Sequence, residues 1–227
     1  MSTKGTDIAA IIGKGLFGAI PFVGPLAAEI IGAIIPNQRI DRIETLLRLL
    51  ETKISEEDKE KVKQRIVCPE SVDLIEDGFV QASRALSEER KEYIASLLKN
   101  SLTDDQLKHI EYKRLLSILG ELNDLEVLIL KSLTFLHGEE GSKEFWEKHE
   151  KALDEPIAYL GSPQEEWDKF EIYKTHKEHL VRLGLLKIRF NKPNKGEVPE
   201  FDEHTGMIKA QGFDITSLGE LFVRSIG

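Results

Sequence analysis

The sequence LVRLGLLKIRF, residues 180–190, changes from a helical to a strand-like pattern within a few positions. The stretch from Trp167 to Leu183 predicts a helix, and Gly184 is the residue type that most often follows a helix end. KIRF predicts a strand, KPNKG predicts a turn, and VPEF and MIKAQGFDI predict further strands on either side of DEHTG. SLGELFVRSI, which begins after Thr216, predicts a closing helix. The last part of the chain is therefore expected to combine helices with a β-hairpin.

This order of elements resembles a winged-helix domain over about residues 121–227. LVRLGLL and FDITSLGELF, residues 213–222, carry the resemblance, because winged helices turn from a glycine-leucine helix end into the first wing strand. They then close with a helix that follows a threonine-containing turn. The resemblance implies a recognition helix and a wing. The candidate contacts to nucleic acid or to a partner are Lys174, Lys177, Arg182, Lys187, Arg189, Lys192 and Lys195.

Two uses of these basic residues stay open. Lysines and arginines on a recognition helix and a wing can contact phosphates, so nucleic acid can bind through residues 167–196. Acidic residues such as Glu171, Glu178 and Glu197 are interspersed among them, whereas a dedicated DNA-binding domain carries a clear basic excess. We therefore favour a protein partner or self-association over nucleic acid.

The middle of the chain, residues 55–120, predicts an acidic bundle of short helices. Ser87 is placed to cap one of them, and Thr103-Asp-Asp-Gln and Asn123-Asp-Leu-Glu both fit the capping-box pattern. Between residues 55 and 166 there are 15 basic and 26 acidic side chains, a net charge of −11. This charge disfavours contact of the middle region with nucleic acid or anionic lipid.

The start of the chain, residues 1–54, predicts an apolar helical hairpin followed by an amphipathic helix. Between residues 8 and 35 only Lys14 and Glu29 are charged, and the glycines and prolines of GKGLFGAIPFVGP, residues 13–25, divide the run into two short helices. The candidate residues for a membrane or effector hairpin are Gly13, Gly15, Leu16, Phe17, Ile20, Pro21, Phe22, Pro25, Ile30 and Ile31.

Three interpretations of this hairpin compete. Gly13, Gly15 and Gly18 match the spacing of a dinucleotide-binding loop, but no strand precedes them and prolines interrupt the next turn, so we disfavour a nucleotide site. The two predicted helices, of about 13 and 10 residues, are each too short to cross a hydrocarbon core of about 30 Å. They can still enter it as a shallow re-entrant hairpin. The third interpretation is a hairpin buried beneath the amphipathic helix at 38–54.

Few residues point to catalysis or to a metal. The single cysteine, Cys68, excludes an internal disulfide and a cysteine-rich metal cluster. His176 and His179 are three residues apart on one helical face and can share a metal only if a third ligand is supplied. The carboxylates are scattered over capping and surface positions. We therefore expect a protein that is not an enzyme and that has no cofactor, metal or evident small-molecule substrate.

The chain resembles the abortive-infection alpha (Abi-alpha) family of phage-resistance proteins, from about residue 66 to the end. The resemblance rests on IVCPESVDLIEDGFVQASRALSEERKEYIASLLKN, on LLSILGELNDLEVLIL and on LVRLGLL…FDITSLGELFV. It implies a bacterial antiphage factor. We expect a mainly α protein of the cytoplasm that acts by binding. The apolar hairpin, which lies outside the resemblance, is the effector candidate on physical grounds alone, and the protein would be peripheral to the inner membrane if the hairpin inserts. The alternative is a winged-helix transcriptional regulator that dimerises through its N-terminal helices.

Overall fold

The computed structural model describes residues 39–105, 107–135, 142–190, 193–201 and 206–227. Within these ranges the chain is mainly helical and has one antiparallel sheet of two strands, which confirms the predicted mainly α fold. The predicted apolar hairpin lies outside the described residues. The helices are α1 (Ile40–Lys53), α2 (Lys59–Arg65), α3 (Pro69–Arg84), α4 (Glu88–Thr103), α5 (His109–Glu121), α6 (Asp124–Ser132), α7 (Ser142–Leu153), α8 (Gln164–Arg182) and α9 (Ser217–Ile226). The strands are β1 (Leu186–Phe190) and β2 (Ala210–Ile215).

The chain divides into two compact units. The first contains α1 to α5 together with Ser225–Gly227, and the second runs from Leu122 to Arg224. In the first unit α4 packs against α1, α3 and α5, and in the second unit α8 packs against α6 and β1.

The amphipathic helix expected at 38–54 is present as α1. The buried side chains on α1 are Ile43, Leu46, Leu47 and Leu50. Arg42, which the pattern places on the solvent side, is half-buried instead. Its Nη1 donates to the backbone carbonyl of Ser83 at 2.9 Å, because the carbonyls at the end of a helix have no partner within the helix. This bond ties α1 to the end of α3.

One predicted helix cap in the first unit is confirmed and one is wrong. The Ser87 hydroxyl accepts from the backbone amide of Arg90 at 3.2 Å, as a cap of α4 should. Thr103, predicted to open a helix, is instead the last residue of α4. The next helix starts later, and there the Glu111 carboxylate accepts from the backbone amide of Lys108 at 2.5 Å. The Thr-Asp-Asp-Gln pattern therefore marks the end of α4 and not the start of the next helix.

The helix stop predicted at Gly184 is confirmed in the second unit. Gly184 has a φ of +74°, a left-handed conformation that glycine adopts at little cost. Its amide donates to the carbonyl of Val181 at 2.9 Å, and the amide of Leu185 donates to that of Leu180 at 3.0 Å, which is the Schellman pattern. Thr216 then joins β2 to this turn, since its hydroxyl donates to the Gly184 carbonyl at 2.7 Å.

The β-hairpin predicted near the end of the chain forms an antiparallel ribbon of β1 and β2. KIRF lies in β1, and QGFDI supplies most of β2. The register pairs Leu186 with Ile215 at the base and is irregular between Arg189 and Phe190. VPEF, predicted as a strand, contributes only an isolated bridge between Phe201 and Ile208. At the base the apolar side chains of α8, β1 and α9 are buried, and they include Leu180, Leu185, Leu186 and Phe222.

Candidate functional site

Of the seven basic residues predicted as contacts, three are paired with carboxylates of the same unit. Their pairs are Lys174 with Glu171 at 3.7 Å, Lys177 with Glu155 at 2.6 Å, and Arg189 with Asp214 at 3.0 Å. Such exposed pairs contribute little stability, but they reduce the positive charge that these residues present to a polyanion.

Lys177 has a second set of contacts that gives it a packing role. Its Nζ lies 5.3 Å from the centre of the Tyr173 ring and 5.7 Å from that of the Phe213 ring. Both distances fall within the range of a cation–π contact. Because Tyr173 lies on α8 and Phe213 on β2, Lys177 joins the helix to the ribbon. The Lys177 side chain is only 20% exposed.

The remaining basic residues are distributed over α8 and the ribbon. Arg182 ends α8, Lys187 lies on β1 and Lys195 lies in the turn region, and all three are exposed. Among the described residues none of these three forms an ion pair. Lys192 lies outside the described residues. Three of the six described basic residues therefore lie beside carboxylates, and the other three are exposed on α8 and the ribbon.

A more continuous feature of the ribbon is apolar. We define the ribbon face as Ile188, Phe190, Phe201 and Ile208. Strand pairing aligns Phe190 with Ala210 and Phe201 with Ile208, and positions two apart on a strand share a face. The four residues follow one another along the ribbon, with Ile188 before the irregularity at Arg189/Phe190 and the others beyond it, and they are 41%, 46%, 51% and 42% exposed, in the order named.

The ribbon face continues the hydrophobic core outward. Leu186, two positions before Ile188 on β1, is 2% exposed, so the same strand face passes from the core into solvent. Beyond the paired segment, Val198 and Met207 add further exposed apolar surface. Large apolar surface that stays contiguous and exposed typically marks an interaction site. The sequence predicted the strand, but it could not show that no other described residue covers this face.

His176 and His179 share a carboxylate that sequence reasoning did not assign to them. Glu126, at the start of α6, is 5% exposed, and its Oε1 lies 2.9 Å from Nδ1 of His179 and 3.2 Å from Nδ1 of His176. Its Oε2 accepts from the backbone amide of Asn123 at 2.8 Å, which completes the predicted capping box of α6. One buried carboxylate thus caps α6 and attaches α8 to it.

The Asn123 side chain links the cap of α6 to His176. Its Oδ1 accepts from the backbone amide of Glu126 at 2.9 Å, and its amino group lies 3.2 Å from Nδ1 of His176. His179 makes the shorter contact with Glu126, at 2.9 Å from Nδ1 to Oε1. Within the part of the chain that the structure describes, no group of three or more His, Cys, Asp or Glu side chains has the geometry of a metal site. The cluster is a hydrogen-bond network between two helices.

A small polar cavity of about 200 Å³ lies in the first unit. Its walls include Arg65, Asp104, Asp105 and Tyr112. Arg65 donates to the backbone carbonyl of Asp104 at 3.0 Å and pairs with Asp105. Burial, followed by the charge of Asp104, raises the pKa of Tyr112 to about 12, so this hydroxyl stays protonated and donates to Asp104 at 3.2 Å. These polar groups therefore already have partners inside the protein.

None of the described helices is both long enough and apolar enough to cross a bilayer. The run at residues 8–35, on which the membrane hypothesis depends, lies outside the described residues. The choice between a buried hairpin and a membrane-active one stays a prediction.

Comparison with known proteins places the chain in one family. The model of the family described as Abortive infection alpha matches residues 37–226. The match begins before α1, about thirty residues earlier than the resemblance noted from the sequence, so α1 and α2 are part of the family region. No curated protein and no solved structure matches the chain significantly. Because the matched region covers most of the sequence, the chain belongs to the Abortive infection alpha family.

Proposed function

We propose that this protein is a bacterial antiphage factor that acts by binding another macromolecule rather than by catalysis. Membership of the Abortive infection alpha family supports the antiphage role. The observation that carries the binding mode is the ribbon face, where four apolar side chains are each more than two-fifths exposed on a two-stranded ribbon. Leaving this much apolar surface in water is unfavourable unless a partner covers it.

The charge of the ribbon favours a protein partner over nucleic acid. The described ribbon residues, 186–190, 193–201 and 206–215, carry four basic and three acidic side chains, a net charge of +1. Lys209 pairs with Glu200 at 2.6 Å, and Arg189 pairs with Asp214. A surface that binds phosphates gains affinity by presenting unpaired cations that displace counterions. The ribbon has few of these, and its apolar side chains resemble the core of a protein interface.

The proposal also gives the N-terminal apolar segment the role of effector. Residues 8–35 hold 28 positions with two charged side chains, and the amphipathic α1 follows directly. In this account the segment is sheltered at rest and reaches the inner membrane from the cytoplasm after phage infection, while the second unit binds the partner. This part of the proposal rests on the sequence.

The antiphage role is tested by expressing the full chain in bacteria and infecting them with a panel of phages. Abortive infection predicts fewer released phages per infected cell together with death of the infected cells at high phage-to-cell ratio. A chain without residues 1–36 should lose protection while its folded part persists, as judged by circular dichroism. Full phage yield across the panel would refute the antiphage role.

The transcriptional-regulator alternative makes a different prediction about duplex DNA. A regulator should bind DNA at low salt, lose affinity steeply as salt rises, and lose binding when Lys187, Arg189, Lys192 and Lys195 are all replaced by Glu. Our account predicts no binding of the wild-type chain at low salt. Salt-dependent binding that the four substitutions abolish would favour the regulator.

A further inference from the structure

We infer that the partner of the ribbon face is a second copy of this chain, so that two ribbons pack against each other about a two-fold axis. This inference rests on the proposed role of the ribbon face as a binding surface. Three observations favour a second copy over an unrelated partner.

The first observation is the charge around the ribbon face. In a two-fold interface each residue meets the same surface of the other copy, so a strongly charged surface would repel itself. The described ribbon has a net charge of only +1. Arg189 and Lys209 are neutralised by Asp214 and Glu200 within the same ribbon. A nearly neutral ribbon, in which two of the four described cations are paired, lets two identical surfaces meet, whereas it offers little charge complementarity to a strongly basic or acidic partner.

The second observation is the apolar character of the surface. The exposed apolar residues of the described ribbon are Ile188, Phe190, Val198, Phe201, Met207 and Ile208. Homodimer interfaces are more apolar than transient ones. A contact built on these side chains therefore fits a homodimer better than a transient complex.

The third observation is the thin architecture of the ribbon itself. The described sheet contains only β1 and β2, and its pairing is already irregular between Arg189 and Phe190. A two-stranded ribbon is marginally stable in water unless its apolar face packs against another layer. α8 packs against β1, and its Lys177 lies over the Phe213 ring, whereas the outer residues Phe190 and Phe201 stay exposed. The ribbon of a second copy supplies the missing layer with matching length and pattern.

The test is the mass of the full chain in solution, measured by sedimentation equilibrium between about 1 and 100 µM, which brackets a weak interface of standard size. We expect twice the monomer mass of 25.7 kDa for the wild type. The double variant Phe190→Asp, Ile208→Asp should fall to the monomer mass at the same concentrations. Leu86→Asp changes a side chain that is 85% exposed in the first unit, and Leu160→Asp changes one on the α7–α8 connection. Both controls should stay dimeric.

A cross-link keeps the inference testable if the double variant misfolds. In a Cys68→Ser background, Phe201→Cys should form a disulfide-linked dimer under mild oxidation, and Leu86→Cys should form none. A monomeric wild type over the whole range, a dimer that survives the ribbon substitutions in a folded chain, or equal cross-linking at both positions would each overturn the inference. A monomer that still protects against phage, and loses protection through the ribbon substitutions, would overturn the second copy alone. The binding role would then stand.

Discussion

The sharpest prediction about the second unit concerns Gly219, in the first turn of α9. A Cβ atom at this position would lie 2.4 Å from the backbone oxygen of Leu185 and 2.7 Å from Cγ1 of Ile215. The Leu185 oxygen cannot retreat freely, because it accepts from the backbone amide of Thr216 at 3.0 Å. Gly219→Ala must therefore move α9 away from the start of the ribbon.

The magnitude follows from two opposed effects. Replacing glycine by alanine inside an unconstrained helix stabilises it by about 1 kcal/mol. Forcing an extra carbon into a packed site costs about 1–3 kcal/mol, and weakening the hydrogen bond to the Leu185 oxygen costs about 0.5–1.5 kcal/mol. The clash outweighs the gain in helix propensity, so we expect Gly219→Ala to lower the free energy of unfolding by about 1–3 kcal/mol.

The assay is urea denaturation of the full chain. Both tryptophans, Trp146 and Trp167, lie in the second unit, so their fluorescence follows the unit that contains Gly219, and circular dichroism follows all helices. Gly120→Ala is the matched control, because its added Cβ would meet the end of the Gln81 side chain rather than backbone. Displacing this amide from the Leu116 carbonyl, to which it donates at 2.8 Å, offsets the gain in helix propensity, so we expect a change within about 1 kcal/mol. A fluorescence midpoint for Gly219→Ala at or above that of the wild type would refute the close packing of α9 on the Leu185 carbonyl.

Three further predictions concern other parts of the chain. Leu186→Ala should cost about 2–5 kcal/mol in the same fluorescence assay, because Leu186 is 2% exposed, and a change of a few tenths would contradict its place in the core. A hydrogen bond from Lys113 lowers the pKa of Asp73 below 3.8, so the carboxylate stabilises the native state above that pH and loses its effect as pH falls through the lowered pKa. Asp73→Asn should therefore lower the free energy of unfolding at neutral pH by less than about 1 kcal/mol. In acid titrations, the difference in free energy of unfolding between this variant and the wild type should vanish below the native-state pKa of Asp73. A difference that stays constant with pH would contradict the ion pair. If the N-terminal hairpin acts on membranes, Ile20→Lys and Ile31→Lys should each abolish leakage of anionic liposomes and phage protection without changing the melting temperature. If the hairpin is buried, both variants should lower the melting temperature, and the wild type should leave liposomes intact.

Much of the fold could be predicted because its signals are local. The αL turn at Gly184, the hydroxyl cap of Ser87 and the capping box of Asn123 each depend on residues within five positions of one another. Thr103 shows the limit of this reasoning, since the same short pattern occurs at the end of α4. Whether a helix begins or ends there depends on the packing of residues before the pattern.

The candidate site was harder to predict because its contacts are distant in sequence. Lys177 meets Glu155, 22 positions away, and His179 meets Glu126, 53 positions away. Sequence spacing placed the two histidines on one face but could not supply the carboxylate between them. The ribbon face was equally hidden. Alternation in KIRF predicts which side chains share a strand face, whereas their exposure depends on where α8 stops covering the ribbon.

The central claim, that this family member protects bacteria by binding through the ribbon face, is tested most directly by phage plating on cells that express the full chain at matched levels. We predict that the wild type and Leu86→Asp reduce plaque numbers equally, and that the variant Phe190→Asp, Ile208→Asp loses protection although circular dichroism shows it folded. Protection by this variant equal to that of the wild type would contradict the claim.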